Sequence, residues 1–232
     1  MRVAILQPTY WARTHVWNRI LSSQVFIWLD SVQFSRSPTK WEDRTIIESP
    51  DGRSIVLRLP LRGSRRALWS EAGLNEGWRK HLTSISRCYS RRPYWKAISE
   101  VVDGVYDSDA ETIDSVCWRT LTAVASVLDA PCCFVRSSSL GVTSTKGDLM
   151  LDLVQAVGGT SYLTGAPGAA YLPRERFAKL AIGIEVQDWQ APVTRHGLVN
   201  PSIIDLLANV GPEGARKVLS RSPTSAGQDD LR

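Results

Sequence analysis

Residues 2–30, RVAILQPTYWARTHVWNRILSSQVFIWLD, decide the fold. The first run, RVAILQ, is β-prone and is closed by Pro8, which has no N–H with which to continue a central ladder. Residues 14–23 carry Val16, Trp17, Ile20 and Leu21 at helical spacing. Residues 25–29, VFIWL, are apolar throughout, with no polar alternation, as in a central strand covered on both faces. Strand, helix and strand in such quick succession read as a parallel βαβ start.

Further along, Pro50-Asp51-Gly52 lies between the β-branched runs TIIES and SIVLRLPL, a hairpin signal. The spacing predicts helices over 77–88, 93–104 and 109–128, the last with apolar residues at 113, 116, 117, 121, 124, 127 and 128. CCFVR (132–136) reads as a short strand. A helix over 147–157 follows, capped by Ser144 or Thr145 and stopped at Gly158-Gly159. Then come the strand exit SYLTG, a short helix ERFAKLA, the strand IGIEVQDW, and a helix from Pro201 that Gly211 ends. The expected fold is α/β: a small, mainly parallel sheet beginning with a βαβ unit, a β-hairpin insertion and a helix-rich middle. It forms one domain over 1–217, and the unpatterned residues 218–232 are expected to be a disordered tail.

The chain of 232 residues is 43 % hydrophobic and 22 % charged, enough for one sizeable core. No apolar run approaches the length of a membrane span, and the N-terminal apolar run is too short for a signal peptide and has no small-residue cleavage site, so a cytoplasmic protein without a membrane partner is expected. Four cysteines and three histidines are too few for a disulfide framework or a metal cage, and no metal or cofactor is expected. Charge is uneven: residues 1–100 hold 17 Lys and Arg against 8 Asp and Glu, and seven of the nine tryptophans. Such a basic half suits an anionic partner or a solvated arginine surface, although no RNA-binding signature accompanies it.

Polar residues directly after apolar parallel strands are placed to meet a ligand. Gln7, Thr9 and Tyr10 follow the first strand, and Asp30 and Gln33 the second. Gln7, Tyr10, Asp30 and Arg44 are therefore expected around one cleft. No GxGxxG or GKS/GKT loop follows the first strand. His81 borders an apolar helical stripe beside Lys80, whose charge would hold it neutral and usable as a general base. His15 lies near a helix start. The glycines of SYLTGAPGAAYL let backbone approach a ligand, and Asp205 and Asn209 share one helical face. His81 and Cys88 stand two turns apart, too far for a nucleophile–base pair, and no G-x-S-x-G elbow occurs.

The runs AILQPTYWARTHVWNRI and VFIWLDSVQFS, the arginine of WEDRTII, WRKHLTSISRCYSRRPYW, YLTGAPGAAYL and NPSIIDLLANVG occur in the order seen in the WbqC-like family, which the chain resembles over about residues 2–211. That family is similar to proteins encoded in surface-polysaccharide and secondary-metabolite clusters, and one class has been proposed to transfer glycine onto a sugar amine. The resemblance places site positions at Leu6-Gln7-Pro8-Thr9-Tyr10, at Asp30, Gln33 and Phe34, and at Arg44. Further positions are Trp78, His81, Leu82 and Tyr89; Tyr162, Gly165, Gly168 and Tyr171; and Ser202, Asp205 and Asn209. The family usually has a histidine where Leu6 stands, a glycine at His15 and an asparagine at Asp43. The missing imidazole implies a changed substrate, replacement by His15, or an imidazole that was never catalytic.

The resulting expectation is an enzyme that forms an amide by moving an aminoacyl or acyl group onto a small-molecule amine. His81, Asp30 and His15 are its catalytic candidates. The donor would be a carrier-protein or coenzyme A thioester, preferred to an aminoacyl-tRNA because Arg65-Arg66 and Arg91-Arg92 are the only adjacent arginine pairs. Nucleotidyl transfer or adenylation, and a non-catalytic subunit of a biosynthetic complex, are the alternatives.

Overall fold

The computed structural model describes residues 1–34, 42–64 and 66–221. The first strand, β1 (Arg2–Leu6), leads to α1 (Thr14–Leu21) and β2 (Val25–Trp28). A hairpin of β3 (Arg44–Glu48) and β4 (Ser54–Arg58) and a two-residue ladder of β5 (Leu61–Arg62) and β6 (Gly73–Leu74) follow. Three helices come next, α2 (Lys80–Tyr89), α3 (Trp95–Tyr106) and α4 (Ile113–Val127), then β7 (Cys133–Arg136), α5 (Lys146–Ala156) and β8 (Ser161–Thr164). The chain continues through α6 (Ala166–Ala169), α7 (Arg174–Lys179), β9 (Gly183–Val186) and α8 (Ile203–Leu219). The expected α/β class, βαβ start, hairpin insertion and helix-rich middle are all present. The β5–β6 ladder was not expected, because two residues per strand are too few to show a period.

Five strands form a parallel sheet in the order β7-β2-β1-β8-β9. All four residues of β2 are buried, as an apolar run without alternation requires. Alternate side chains serve opposite layers. Ala4, Phe26 and Trp28 pack with Trp17 and Ile20 of α1 and with α4 and α8, whereas Val3, Ile5, Val25 and Ile27 meet Leu149, Leu153 and Val154 of α5 and Phe177 of α7. The chain builds outward from β1 through β2 and β7, then returns to its other side with β8 and β9. The order therefore reverses between β1 and β8, and a crevice opens beyond the carboxyl ends of those two strands.

α8 is broken at Gly211-Pro212 and runs on to the buried Val218 and Leu219. Residues 222–232, most of the expected tail, lie outside the described residues. Among the described residues no helix is long and apolar enough to cross a membrane.

Candidate active site

A cavity of about 520 Å³ occupies that crevice. After β1 it is lined by Gln7, Thr9 and Tyr10, and after β8 by Thr164, Gly165, Pro167 and Gly168; Tyr162 of β8 also faces it. Arg13, His15 and Arg19 reach it from α1 and the residue before it, and Glu42 and Arg44 from the start of the hairpin. The tight turn after β1 places α1: Trp11 has φ +41, and its carbonyl accepts from Thr45 Oγ1 (3.0 Å) and Ser202 Oγ (3.2 Å). The start of α1 is then pinned to the segment before α8. Thr14 N–H donates to Pro201 O (3.0 Å), His15 N–H donates to Asn200 Oδ1 (3.0 Å), and Ile203 N–H donates to Ala12 O (3.1 Å).

The wall is cationic and partly desolvated. Burial, followed by the nearby Arg44, lowers the pKa of Arg13, and burial lowers that of Arg19. Burial and then the Arg19 charge bring His15 down to about 4, against the opposing bond from Asn200, so its imidazole is neutral at pH 7. Arg19 Nε donates to Gln187 Oε1 (2.7 Å), and its guanidinium lies so close to Gly165 that a Cβ there would sit 2.9 Å from it. A side chain at 165 would have to displace the end of Arg19. Among the described residues Gln7 Oε1 has no hydrogen-bond partner, and burial shields it from the cavity as well as from solvent.

Of the expected site residues, the cavity collects Gln7, Thr9, Tyr10, His15, Arg44, Tyr162, Gly165 and Gly168. The structure corrects the expectation of one cleft shared with Asp30. That aspartate, 1 % exposed, accepts from Ser137 Oγ (3.0 Å), Ser138 N–H (2.9 Å), Ser138 Oγ (2.8 Å) and Arg136 Nη1 (2.9 Å). Burial works against its charge, but those bonds prevail and hold the carboxyl below its ordinary pKa. Arg136 also bonds Asp114 (2.7 Å) and lies over the Trp118 ring. Asp30 thus fastens the turn after β7 to the end of β2.

His81 does not line the cavity either; its Nδ1 meets Tyr10 Oη at 2.9 Å, and Tyr10 Oη also bonds the Tyr106 hydroxyl. His81 is held neutral, with a pKa of about 4, by burial rather than by Lys80, which is exposed. Gln33 is exposed and donates to Arg66 O (3.0 Å), and Tyr171 is 83 % exposed. The Tyr89 hydroxyl donates to Asp205 in a buried cluster, while Asn209 Nδ2 donates to Asp205 O (2.7 Å) on its own helix. Burial excludes both Tyr89 and Asp205 from solvent.

Arg13, Arg19, Glu42 and Thr164 were not anticipated. One signal was available: His15 and Arg19 are four apart, hence on one face of α1. Among the described residues no group of three or more His, Cys, Asp or Glu could hold a metal ion.

The "Uncharacterized protein Rv1507c" of Mycobacterium tuberculosis is 24 % identical over 221 residues, covering 91 % of this chain and 95 % of that protein. The WbqC-like protein family matches residues 7–217, which include every cavity residue contributed after β1 and β8. The chain belongs to the WbqC-like protein family, a membership that supports a general enzymatic role in biosynthesis.

Proposed function

We propose that the cavity is the active site of a transferase that forms an amide, moving an acyl or aminoacyl group from an activated donor onto an amine of a sugar or metabolite. The observation that carries this reading is a cavity beyond the carboxyl ends of β1 and β8 whose lining polar groups are mainly donors, with one lining carboxylate, Glu42. The amine would bind beside Glu42. Its lone pair attacks the acyl carbon of the donor, and the resulting oxyanion is stabilised by guanidinium and imidazole N–H groups. Collapse breaks the bond to the leaving group, a thiol for a carrier-protein or coenzyme A thioester. Glu42, the carboxylate on the cavity wall, is the group to take the proton that the amine loses.

Incubation of the purified chain with acyl-coenzyme A or an acylated carrier protein and a panel of amino sugars, read by mass spectrometry, tests the reaction. The expected result is an amide product and a free thiol, with turnover reduced about tenfold or more in Glu42→Gln through loss of the proton acceptor. Pyrophosphate release from ATP or CTP with no amide formed would instead establish nucleotidyl transfer.

A further inference from the structure

Anions at the start of a helix are usually met by main-chain N–H groups, but those of α1 are already occupied. Thr14 and His15 N–H donate to Pro201 O and Asn200 Oδ1, and Val16 N–H donates to Arg13 O (3.0 Å). Anion recognition in the cavity therefore falls to side chains. Three arginines, Arg13, Arg19 and Arg44, face the cavity with one lining carboxylate, Glu42, while the buried Asp43 lies 4.0 Å from Arg44 Nε behind it. Arg13 and Arg44 disfavour one another's charge across a partly desolvated wall, and a ligand presenting anionic oxygens on two linked groups can meet more than one guanidinium at once, which a monocarboxylate does less well.

The fourth polar group has a defined proton. Asn200 Oδ1 accepts from Thr14 Oγ1 (2.9 Å) and His15 N–H (3.0 Å), so its amide nitrogen is the atom 2.8 Å from His15 Nδ1. Nδ1 is then an acceptor, and the proton of the neutral ring sits on Nε2. Asn200 holds this position at φ +56, a left-handed conformation that asparagine tolerates. Gln187, just beyond β9, steadies the same face of α1 by accepting from Arg19 Nε and donating to His15 O (2.9 Å).

We propose that the cavity takes a ligand bearing a diphosphate, held by Arg13, Arg19 and Arg44, with His15 giving an uncharged Nε2–H donor whose tautomer Asn200 sets. The proposal rests on the reading above only in taking this cavity as the substrate site. Asn200 is a positioning residue, and His15 is a donor to the ligand rather than a base. A diphosphate is common to nucleoside diphosphate sugars, which would make it part of the acceptor, and to coenzyme A, which would make it part of the donor.

Calorimetric titration of the full chain at fixed ionic strength with pyrophosphate, orthophosphate and acetate tests the ligand class. Pyrophosphate should bind about tenfold or more tightly than orthophosphate, and Arg19→Gln should weaken it by about tenfold or more. Arg91→Gln, exposed and outside the cavity, should leave it unchanged. Equal affinity for the three anions, or an unaffected Arg19→Gln, overturns the proposal. Titrations with uridine diphosphate and coenzyme A then assign the diphosphate to acceptor or donor by whichever binds more tightly. Pyrophosphate binding without amide formation would remove the reaction proposed above and leave this subsite standing.

Imidazole nitrogen NMR on the wild-type chain reads the tautomer directly. A proton on Nε2 alone at pH 7 is expected, and a proton on Nδ1 overturns the role of Asn200. Asn200→Asp places a carboxylate against Nδ1 and should raise the His15 pKa. Its diphosphate affinity relative to wild type, a ratio that cancels the ligand's own ionisation, should then strengthen as pH falls from about 8 to about 6. Arg13, Arg19, Glu42, Arg44, Tyr10 and Tyr162 surround the same cavity. A ratio constant with pH overturns the assignment.

Discussion

Asp205 is 1 % exposed and, among the described residues, has no cation bonded to it: Oδ1 accepts from the Tyr89 hydroxyl and, at 3.4 Å, from Glu48 N–H, while Oδ2 has no hydrogen-bond partner there. Glu48, itself 3 % exposed, lies close by and accepts from Thr194 Oγ1 (2.5 Å), and Arg92 acts from a distance. Burial, opposed by the Tyr89 bond and reinforced by the Glu48 charge, raises Asp205 to about 7. A carboxyl whose pKa is higher folded than unfolded gives stability that is complete below the unfolded pKa and lost as pH rises through the folded one. The loss therefore falls between about pH 4 and 7, and is on the order of a few kcal/mol at roughly 1.4 kcal/mol per pKa unit. Asp205→Asn keeps an uncharged acceptor for Tyr89, so the stability of wild type relative to the variant should decline across that window. Urea unfolding at several pH values measures it, and parallel curves for the two proteins would contradict the assignment. Asp30, by contrast, is held charged by four bonds. Both aspartates follow apolar runs in a way that suggests chemistry, and only their partners reveal structural carboxyls of opposite kinds.

α8 contains a break that its sequence announces. Gly211 has φ +71 and ψ 174, a region open essentially to glycine, and Pro212 brings no N–H to the next turn. An added Cβ would meet the Tyr94 ring at 2.6 Å, and Tyr94 N–H donates to Ala208 O (3.1 Å) just before the break. The carbonyl of Leu219, at the far end, accepts from Asn18 Nδ2 (2.8 Å), so α8 braces the helix that carries His15 and Arg19. Gly211→Ala combines backbone strain with a clash against a ring and should destabilise the fold by about 1–3 kcal/mol. Denaturant midpoints measure this, and a change below about 0.5 kcal/mol would show that the break relaxes without the glycine. α1 illustrates what periodicity can and cannot tell. Val16, Trp17 and Ile20 define its buried stripe, and His15 and Arg19 its other face. Which structure that second face meets is not local information.

Across the whole molecule the cavity joins segments far apart in the chain: residues 5–19, 29, 42–44 and 162–168. A ligand that binds only the assembled cavity stabilises the entire fold by mass action, by about 2.7 kcal/mol at a hundred times its dissociation constant. Pyrophosphate at that excess should therefore raise the melting temperature of a single thermal transition, and an Arg19→Gln variant that binds about tenfold more weakly should show roughly half the stabilisation at the same concentration. Two transitions, only one of which moves, would mean that the two layers of the sheet unfold separately.

By itself, the sequence determined the elements and their class. The apolar runs of β1 and β2, the Pro-Asp-Gly hairpin turn, the period of α4 and the break at Gly211 are local signals, set by side-chain spacing and by the φ each residue permits. The tertiary structure decided where the site lies. Gln7, Thr9 and Tyr10 after β1 were legible as cavity residues, yet the partner crevice was read toward β2 and Asp30, whereas it opens toward β8. Short buried strands are nearly interchangeable as neighbours, and the insertion of β8 beside β1 is settled only by burying both faces of the sheet. For the same reason Asp30 is spent on Ser137, Ser138 and Arg136, Tyr10 stands between His81 and the cavity, and Arg13 and Arg19 converge with Arg44. Whether a polar side chain is satisfied or left for a ligand depends on partners that lie, for Asp30 and His15, more than 100 residues away.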